Sequence, residues 1–425
     1  MSATCVPVVT YHSIADDHDH LVHHLSLPLS IFERQLRYLR REGFQTVSLY
    51  DVHRFLRDRA PLSPRAVALT FDDGYLDNWV HAFPLLKKYG MKATIFVTTD
   101  FVDPTPACRP TLEDVWRGDL RQNDLIWWGH ASWPELAAMQ SSGLVDIQAH
   151  TKTHAWHFSG EGIIDFHHPD DAYYWLDWNR QPAEKYSWLT RDFRESVAWG
   201  TPVYEFSTAL LKPRYFDDPR VADCATAHVA KHGDRRFFDR LKWRQELHDV
   251  VGAYRAQIDH GGRYETHAEY IARVHDELAG SKSIIEERLG KPVDFLAWPC
   301  GDYTPQLQRI AIDDCGYLAT VNVNKTANRR GDDPTEVRRI VFGQDYTGPW
   351  RSTLVFWNFL GNVNYYSGRI HAYPVAPLAR RAMIAGRLIG GRKRSSADTL
   401  TDATVPGTSR PTASAFERGN PHESN

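Results

Sequence analysis

The sequence lacks long apolar runs and has few cysteines. No stretch of 18 or more apolar residues occurs, which predicts that no helix spans a membrane. The five cysteines show no CxxC spacing, so neither a structural zinc site nor a disulfide framework is indicated. The N-terminal stretch lacks the basic and apolar regions of a secretory signal peptide. Together these absences predict a cytoplasmic protein.

The chain also lacks an excess of charge of one sign. Its formal net charge at pH 7 is −3 over 425 residues, which gives no reason to expect a nucleic-acid partner. Aromatic residues, by contrast, make up 12% of the chain and include 14 tryptophans. Flat aromatic rings stack on sugar faces, but they also pack protein cores. The composition therefore fits a carbohydrate-facing protein without requiring one.

The most informative stretch runs from Val67 to Tyr75. An aliphatic and β-branched run, typical of a buried strand, ends at Asp72, Asp73 and Gly74. Neighbouring strand side chains point to opposite faces, so two carboxylates converge only where the strand ends and the chain turns. Gly74 permits that turn. A helix and a strand follow, and this βαβ unit places both charges at the carboxyl end of a strand, where α/β proteins carry active sites.

Local signals also predict where several helices begin and end. The segment 30–43 has a helical pattern and a capping box formed by Ser30 and Glu33. The segment 131–143 is predicted to be a helix capped by Ser132. Two further helices are predicted to end at a glycine, at Gly90 and Gly290.

Three further predicted strands end in polar or conformationally special residues. These ends are His12, His150 with His154 four residues later, and Trp298-Pro299-Cys300-Gly301. If the strands are parallel, their ends meet at one face. One carboxylate and two imidazoles are the usual ligands of a catalytic zinc-type ion that keeps a position for water. A second carboxylate could deprotonate that water, a histidine could protonate a leaving group, and a backbone N–H could hold an oxyanion.

These motifs resemble those of a known family. The segments are Thr70-Phe71-Asp72-Asp73-Gly74-Tyr75, His150-Thr151-Lys152-Thr153-His154 and Ala297-Trp298-Pro299-Cys300-Gly301. They are similar to motifs of the metal-dependent polysaccharide deacetylases of the NodB-homology class, carbohydrate esterase family 4. Residues 8–14 look like the subgroup with permuted motif order that includes poly-N-acetylglucosamine de-N-acetylases. The resemblance covers roughly residues 6–155 and 265–345 and implies an α/β fold, a distorted (β/α) barrel.

The resemblance implies a role for each matching residue. It makes Asp72 the base, Asp73, His150 and His154 the metal ligands, and His12 the general acid. It assigns a further set to the oxyanion hole or to substrate binding: Cys300 through its backbone N–H, with Trp298, Pro299, Tyr75 and Arg339. The implied cofactor is a divalent metal ion, zinc first, with cobalt, nickel or manganese as alternatives that such ligand sets also accept.

The alternation of strands and helices is interrupted by a segment rich in Trp, Tyr, Asp, Pro and His. We therefore expect a barrel formed by residues 1–155 and 264–376, with an inserted subdomain at 156–263 that shapes substrate access. Residues 377–394 form a basic amphipathic helix in this prediction, and 378–393 could contact the inner face of a membrane. Residues 395–425 have few apolar positions and are predicted to be disordered.

The predicted function is hydrolysis of an N-acetyl, or less favourably an O-acetyl, group on a carbohydrate, with an activated water as nucleophile. The substrate would be an acetylated sugar, an oligosaccharide or a lipid-linked glycan of cell-envelope biosynthesis. One alternative is a metal-independent glycosidase that uses Asp72 with another carboxylate, such as Glu135 or Asp146. Another is a glycan-binding protein with a degenerate site. A chelator would not inhibit the first, and the second would bind glycans without releasing acetate.

Overall fold

The computed structural model describes residues 2–16, 25–191, 194–259, 261–341, 351–369, 375, 377–379 and 381–382. Most of the predicted basic helix at 377–394 and all of the predicted tail at 395–425 lie outside the described residues. None of the helices within the described ranges combines the length and the apolar composition needed to cross a membrane.

The described residues form fifteen strands and twelve α-helices. The strands are β1 Cys5–Val6, β2 Val8–Tyr11, β3 Gln45–Thr46, β4 Ala66–Phe71, β5 Ala93–Val97, β6 Val145–Ala149, β7 Trp156–Phe166, β8 Pro202–Thr208, β9 Tyr215–Phe216, β10 Arg263–Tyr264, β11 Phe295–Ala297, β12 Ala319–Asn322, β13 Asn328–Arg329, β14 Glu336–Arg338 and β15 Ile340–Val341. The helices are α1 Leu29–Arg41, α2 Leu49–Arg57, α3 Phe83–Tyr89, α4 Leu112–Arg117, α5 Trp133–Ser141, α6 Trp175–Arg180, α7 Pro219–Lys231, α8 Trp243–Arg255, α9 His267–His275, α10 Ser281–Leu289, α11 Pro305–Arg309 and α12 Arg351–Tyr366.

The central sheet closes on itself. Its strands follow the order β14–β12–β11–β6–β5–β4–β2–β15, with β3 added beside β4, and every pair is parallel. The two end strands, β14 and β15, are separated in the chain only by Arg339. One stretch of chain therefore pairs with β12 on one side and with β2 on the other. This closure confirms the predicted α/β fold with a distorted barrel.

Alternation along each strand sorts side chains between the barrel interior and the surrounding helices. On β4, Ala66 and Ala68 belong to an interior cluster, whereas Val67 and Leu69 pack in the layer between strands and helices. Helix α2 contributes apolar side chains to the interior cluster and lies at the end where the strands begin. The opposite end, where the strands stop, is left for the motif residues.

The segment 156–263 interrupts the strand–helix alternation. Its strands β7 and β8 form an antiparallel pair, and α7 and α8 pack with their own apolar cluster. A second cluster joins residues of the segment, among them Trp175, Trp178 and Trp188, to Tyr75 and Phe101 of the barrel. The segment thus combines a separate small core with an aromatic contact to the loops at the carboxyl end of the barrel.

Candidate metal centre and active site

The two adjacent aspartates converge because the chain turns immediately after β4. Asp72 continues the inward-facing side of the strand, and Asp73 adopts φ +70°, as does Gly74. The left-handed region is rare for residues with a side chain, although aspartate tolerates it better than most. The predicted turn therefore begins one residue earlier than Gly74, and Asp73 itself is part of it. Both carboxylates are buried.

The two histidines lie on the loop that follows β6. His150 Nδ1 donates to the backbone oxygen of Ala297 at 2.9 Å, which leaves Nε2 with its lone pair free to bind a cation. This Nε2 is 3.4 Å from Asp73 Oδ1, and His154 Nε2 is 3.6 Å from the same oxygen. One donor atom from each of the three residues falls within 4.8 Å of the other two.

The charges of this cluster suit a cation. Against the effect of burial, Asp72 and Asp73 raise the pKa of His150, so the two carboxylates favour a positive charge at this point. Burial opposes the charge of Asp73, but His150 and His154 outweigh it and lower the pKa of this carboxyl, so it is ionised at neutral pH. Burial lowers the pKa of His154 to about 4, which keeps its imidazole neutral. Within the described residues Asp73 Oδ1 is buried without a hydrogen-bond partner. An unsatisfied buried carboxylate oxygen beside two imidazoles is an arrangement that a divalent cation would compensate.

Asp72 is held by Arg339, the residue between β14 and β15 where the barrel closes. Arg339 donates from Nη1 and Nη2 to the two carboxylate oxygens, at 2.6 and 2.9 Å. Burial opposes the charge of Asp72, but this guanidinium outweighs it and lowers the pKa of the carboxyl. Arg339 is fully buried, and its fork matches both oxygens, so it orients Asp72. Its part in substrate binding stays a prediction from the sequence.

His12 faces the same carboxylate from the end of β2. Its Nε2 is 3.9 Å from Asp72 Oδ2, and its side chain is 18% exposed. Its backbone oxygen accepts a hydrogen bond of 2.8 Å from Asn78 Nδ2. Asn78 begins a π-helical turn, Asn78–Ala82, of the kind that often occurs at functional sites. A partly exposed imidazole beside a buried carboxylate can reach both the site and a substrate.

The third motif forms a tight turn at the end of β11. Cys300 adopts φ +57° and exposes its side chain, while Trp298 and Pro299 are buried. The Trp298 ring stacks on Tyr303 at 5.7 Å. Tyr75 is also buried and stacks on His130 at 5.7 Å. Packing encloses the side chains of Trp298 and Tyr75, and their part in substrate binding stays a prediction from the sequence.

The carboxylates considered for a glycosidase lie elsewhere. Glu135 is buried in an ion pair with Arg109 at 2.7 Å and caps the start of α5. Asp146 lies near the beginning of β6, three residues before the carboxyl end of that strand, and pairs with Lys291 at 2.5 Å. Neither is paired with Asp72 across the site, so the structure offers no support for that alternative.

Two residues at the site were missed from the sequence. Glu277 and Lys185 both bind Thr153, in the loop between the two histidines. The only signal for Glu277 was its position three residues after Val274, on the buried face of a predicted helix. Nothing in the local sequence marks Lys185, because its partners come from distant parts of the chain.

Comparisons with known proteins agree with this site. The polysaccharide deacetylase family model matches residues 59–191, which contain the Asp-Asp and His-His motifs. "Putative polysaccharide deacetylase YxkH" of Bacillus subtilis (strain 168) is 40% identical over 92 residues, which are 22% of this chain and 31% of that protein. "Poly-beta-1,6-N-acetyl-D-glucosamine N-deacetylase" of Escherichia coli (strain K12) is 32% identical over 127 residues, 30% of this chain and 18% of that protein.

The chain spans less than a third of the length of these curated relatives. Among solved structures, a de-N-acetylase from Aggregatibacter actinomycetemcomitans aligns with a TM-score of 0.48 and 17% identity, over 82% of this chain and 99% of that chain. The family match covers the two motifs that build the carboxylate and imidazole cluster, and those motifs stand at strand ends of a parallel barrel. Residues 59–191 are therefore similar to the polysaccharide deacetylase family, in agreement with the resemblance of their motifs to the NodB-homology class.

Proposed function

We propose that this protein is a metal-dependent deacetylase that removes an N-acetyl group from a carbohydrate. One observation carries the proposal. Asp73, His150 and His154 converge on one point, directly beside a second carboxylate, Asp72, that Arg339 holds ionised. A set of three ligands with an adjacent, separately held base is the arrangement that metal-assisted hydrolysis needs.

The same three residues would hold the metal ion. Bound there, a divalent ion would polarise the acetamido carbonyl and make water more acidic. Zinc is the preferred ion in this proposal, because one carboxylate and two imidazoles are ligands that zinc accepts readily. Cobalt, nickel and manganese remain alternatives, since such sites accept them to different degrees.

The residues of the chain would carry the proton transfers. Asp72 accepts a proton from water as the water oxygen bonds to the acetamido carbon. The backbone N–H of Cys300 stabilises the negative charge that develops on the carbonyl oxygen. His12 donates a proton to the nitrogen as the carbon–nitrogen bond breaks, which releases acetate and leaves a free amine on the sugar. Arg339 takes no part in the transfers and keeps Asp72 ionised and oriented.

The substrate we propose is a polymer or oligosaccharide of N-acetylated amino sugar. The name of the Escherichia coli relative specifies a poly-N-acetylglucosamine, and the site supplies the groups that amide hydrolysis requires. The segment 156–263 brings aromatic rings to the site, with Trp178 at 6.3 Å from His154. Trp178 is buried, so its ring packs the wall of the site beside His154. We assign this inserted subdomain to substrate access, with the barrel formed by 1–155 and 264–376.

Four points stay predictions from the sequence: an O-acetyl substrate, a lipid-linked glycan, a cytoplasmic location at the inner membrane face, and membrane contact by residues 378–393. Cell fractionation of the full chain, with and without residues 378–393, checks the location and the membrane contact. Recovery in the same fraction for both chains would contradict membrane contact by that segment.

The deciding experiment compares Asp72→Asn with Asp146→Asn. Each removes one carboxylate, but Asp146 lies toward the other end of its strand. With an N-acetylglucosamine oligomer as substrate, we expect Asp72→Asn to lose about 10²- to 10⁴-fold of the acetate release and to keep its bound metal, because only the base is removed. Asp146→Asn should keep its activity. Undiminished acetate release by Asp72→Asn would remove the proposed base, and sugar-chain cleavage that survives a chelator would favour the glycosidase.

A further inference from the structure

The loop that carries the two histidines has an unusual backbone. Thr151 and His154 adopt φ +63° and φ +50°, in the left-handed region that residues with side chains rarely occupy. Thr151 is also a β-branched residue, for which this conformation is a marked outlier. Such conformations persist only where the surrounding structure fixes them. The geometry of His154 therefore depends on whatever holds the residues on either side of it.

Thr153 is held on both of its backbone groups. Its N–H donates to Glu277 Oε2 at 2.9 Å, and its hydroxyl donates to the other oxygen of the same carboxylate. Its backbone oxygen accepts a hydrogen bond of 2.8 Å from Lys185 Nζ. The peptide groups that lead into His154 are thus fixed by an anion on one side and a cation on the other.

Both holding residues are charged and enclosed. Lys185 is 2% exposed and Glu277 is 3% exposed. Lys185 Nζ is also 3.9 Å from Asp100 and lies over the Trp178 ring at 5.6 Å. A buried lysine is rare unless it is paired, because taking the ammonium group out of water costs free energy. Specific partners must offset this desolvation.

The two residues come from different parts of the chain. Glu277 belongs to a π-helical turn, Asp276–Gly280, between α9 and α10 of the barrel. Lys185 belongs to the segment 156–263 that interrupts the barrel, in a short helical turn, Pro182–Ser187. The histidine loop is therefore completed by a group that the barrel does not supply.

We propose that Lys185 is a positioning residue of the metal centre, through which the inserted segment sets the affinity of the site for its ion. This inference rests on the proposed function, because it takes Asp73, His150 and His154 as the ligands. Without the Nζ donor, the Thr153 carbonyl loses its buried partner, and the loop relaxes away from the left-handed conformation at His154. The ligand then no longer meets the other two.

The test compares two lysine variants of the full chain, Lys185→Met and Lys291→Met. Both remove a largely enclosed ammonium group that pairs with an aspartate, but Lys291 pairs with Asp146, near the start of β6. The measurement is the zinc dissociation constant, obtained by competition with a chelating dye, together with unfolding by denaturant in the presence of a chelator. We expect about a 10- to 100-fold weaker zinc affinity for Lys185→Met, the usual range when a group that orients a ligand is lost.

We expect Lys291→Met to bind zinc like the wild type, even if both variants lose similar stability. Lys185→Arg, which keeps a cationic donor, should recover most of the lost affinity. If Lys185→Met does not fold, Glu277→Gln replaces it, since this change weakens the opposite side of the same clamp, and a lower zinc affinity is expected again.

The outcomes separate this inference from the proposed function. Equal zinc affinity in the wild type, Lys185→Met and Lys291→Met overturns the positioning role and leaves the metal centre intact. An equal loss in both lysine variants also overturns it, because that result reports general destabilisation. A wild type that binds no zinc, cobalt, nickel or manganese overturns the metal centre itself, and the inference with it.

Discussion

The barrel and the segment 156–263 both contact the loop between His150 and His154. The barrel residues of the site directly follow strands, whereas the residues of the segment contact the loop from distant positions in the sequence. The barrel places Asp72, Asp73 and His150 directly after parallel strands, so their positions follow from the sheet. The inserted segment contributes a buried cation and aromatic rings through contacts that no local pattern specifies. The metal-ligand and carboxylate residues of this site thus lie at or near strand ends, whereas the residues that hold them in place come from distant parts of the sequence.

The two regions also differ in how they are packed. The barrel surrounds one interior cluster and one layer under its helices, and both extend over many strands. The inserted segment has its own small core, in which Leu247 and Val251 of α8 face Val221 and Val229 of α7. That core contains residues of the segment alone. A defect there should reach the site through the contacts of the segment with the barrel. These include the aromatic cluster, Lys185 and the hydrogen bond of 2.8 Å from the Ala209 N–H to the backbone oxygen of Ala155.

The largest expected effect tests this difference between the two regions. One variant removes two proposed metal-ligating side chains of the barrel, and another damages the core of the inserted segment. A His150→Ala, His154→Ala variant should lose its bound metal entirely, since two of three ligand side chains are gone. Leu247→Ala should lower the free energy of unfolding by about 2 to 5 kcal/mol, as buried leucines do, but keep about one equivalent of metal.

Elemental analysis of the purified proteins checks both statements. Metal retained by the double histidine variant would show that the ion binds elsewhere. Metal lost from Leu247→Ala, at a denaturant concentration where the protein is folded, would show that the small core and the barrel act as one unit. Either result would remove the contrast between the two regions.

The next largest effect is expected at the joint that closes the barrel. Arg339→Met leaves the Asp72 carboxylate buried without its partner, which should cost about 3 to 5 kcal/mol of unfolding free energy at pH 7. The pKa of Asp72 should also rise, because burial raises it and the guanidinium that opposed this effect is gone. A base with a higher pKa is ionised only at higher pH, so the acid limb of the activity profile should move upward.

Denaturant unfolding and a pH–rate profile test this prediction, with Arg339→Met, Asp72→Leu as the control. The double variant has no unpaired buried charge, so it should recover part of the stability while remaining inactive. If the single variant is as stable as the wild type, the buried ion pair of Arg339 and Asp72 does not contribute to the free energy of unfolding.

Much of the barrel could be predicted from the sequence because its signals are local. The strand before Asp72, the cap at Ser132 and the helix ends at Gly90 and Gly290 are confirmed, and both glycines adopt the left-handed conformation that ends a helix. The predicted capping box of Ser30 and Glu33 is wrong. Helix α1 begins at Leu29 after Pro28, and no side-chain cap forms.

The reason for that error is a competing partner. The Glu33 carboxylate accepts hydrogen bonds from Lys88 at 2.8 Å and from the Tyr89 hydroxyl at 2.9 Å, both at the end of α3. A tertiary contact of this kind overrides a local motif. The same limit applies to Arg339, Lys185 and Glu277, whose functions depend on residues far away in the sequence. Periodicity also cannot reveal the π-helical turns that carry Asn78 and Glu277.

The smallest effect we predict concerns a second buried carboxylate in the barrel, Asp77, which has no arginine. It accepts hydrogen bonds from Ser13 Oγ at 2.5 Å and from Asn78 Nδ2 at 2.8 Å, in the loop region around His12. Burial raises the pKa of Asp77 to about 7. Asp72, equally buried, has a lowered pKa because Arg339 faces it. His150 and His12 act on Asp72 in the same direction, so the two carboxylates show what charged partners, Arg339 first among them, change inside the same barrel.

A raised pKa means that the folded state binds a proton more tightly than the unfolded state, so stability falls as pH rises toward about 7. Between pH 5 and pH 8, the wild type should lose about 2 to 3 kcal/mol relative to Asp77→Asn, which carries no titrating group there. Denaturant unfolding of both proteins at the two pH values measures this difference, and other titrating groups cancel in the comparison. A stability of the wild type relative to Asp77→Asn that does not change with pH, or that falls toward acid, would mean that Asp77 is ionised in the folded protein. Its hydrogen bonds would then outweigh its burial, and the contrast with Asp72 would no longer depend on Arg339.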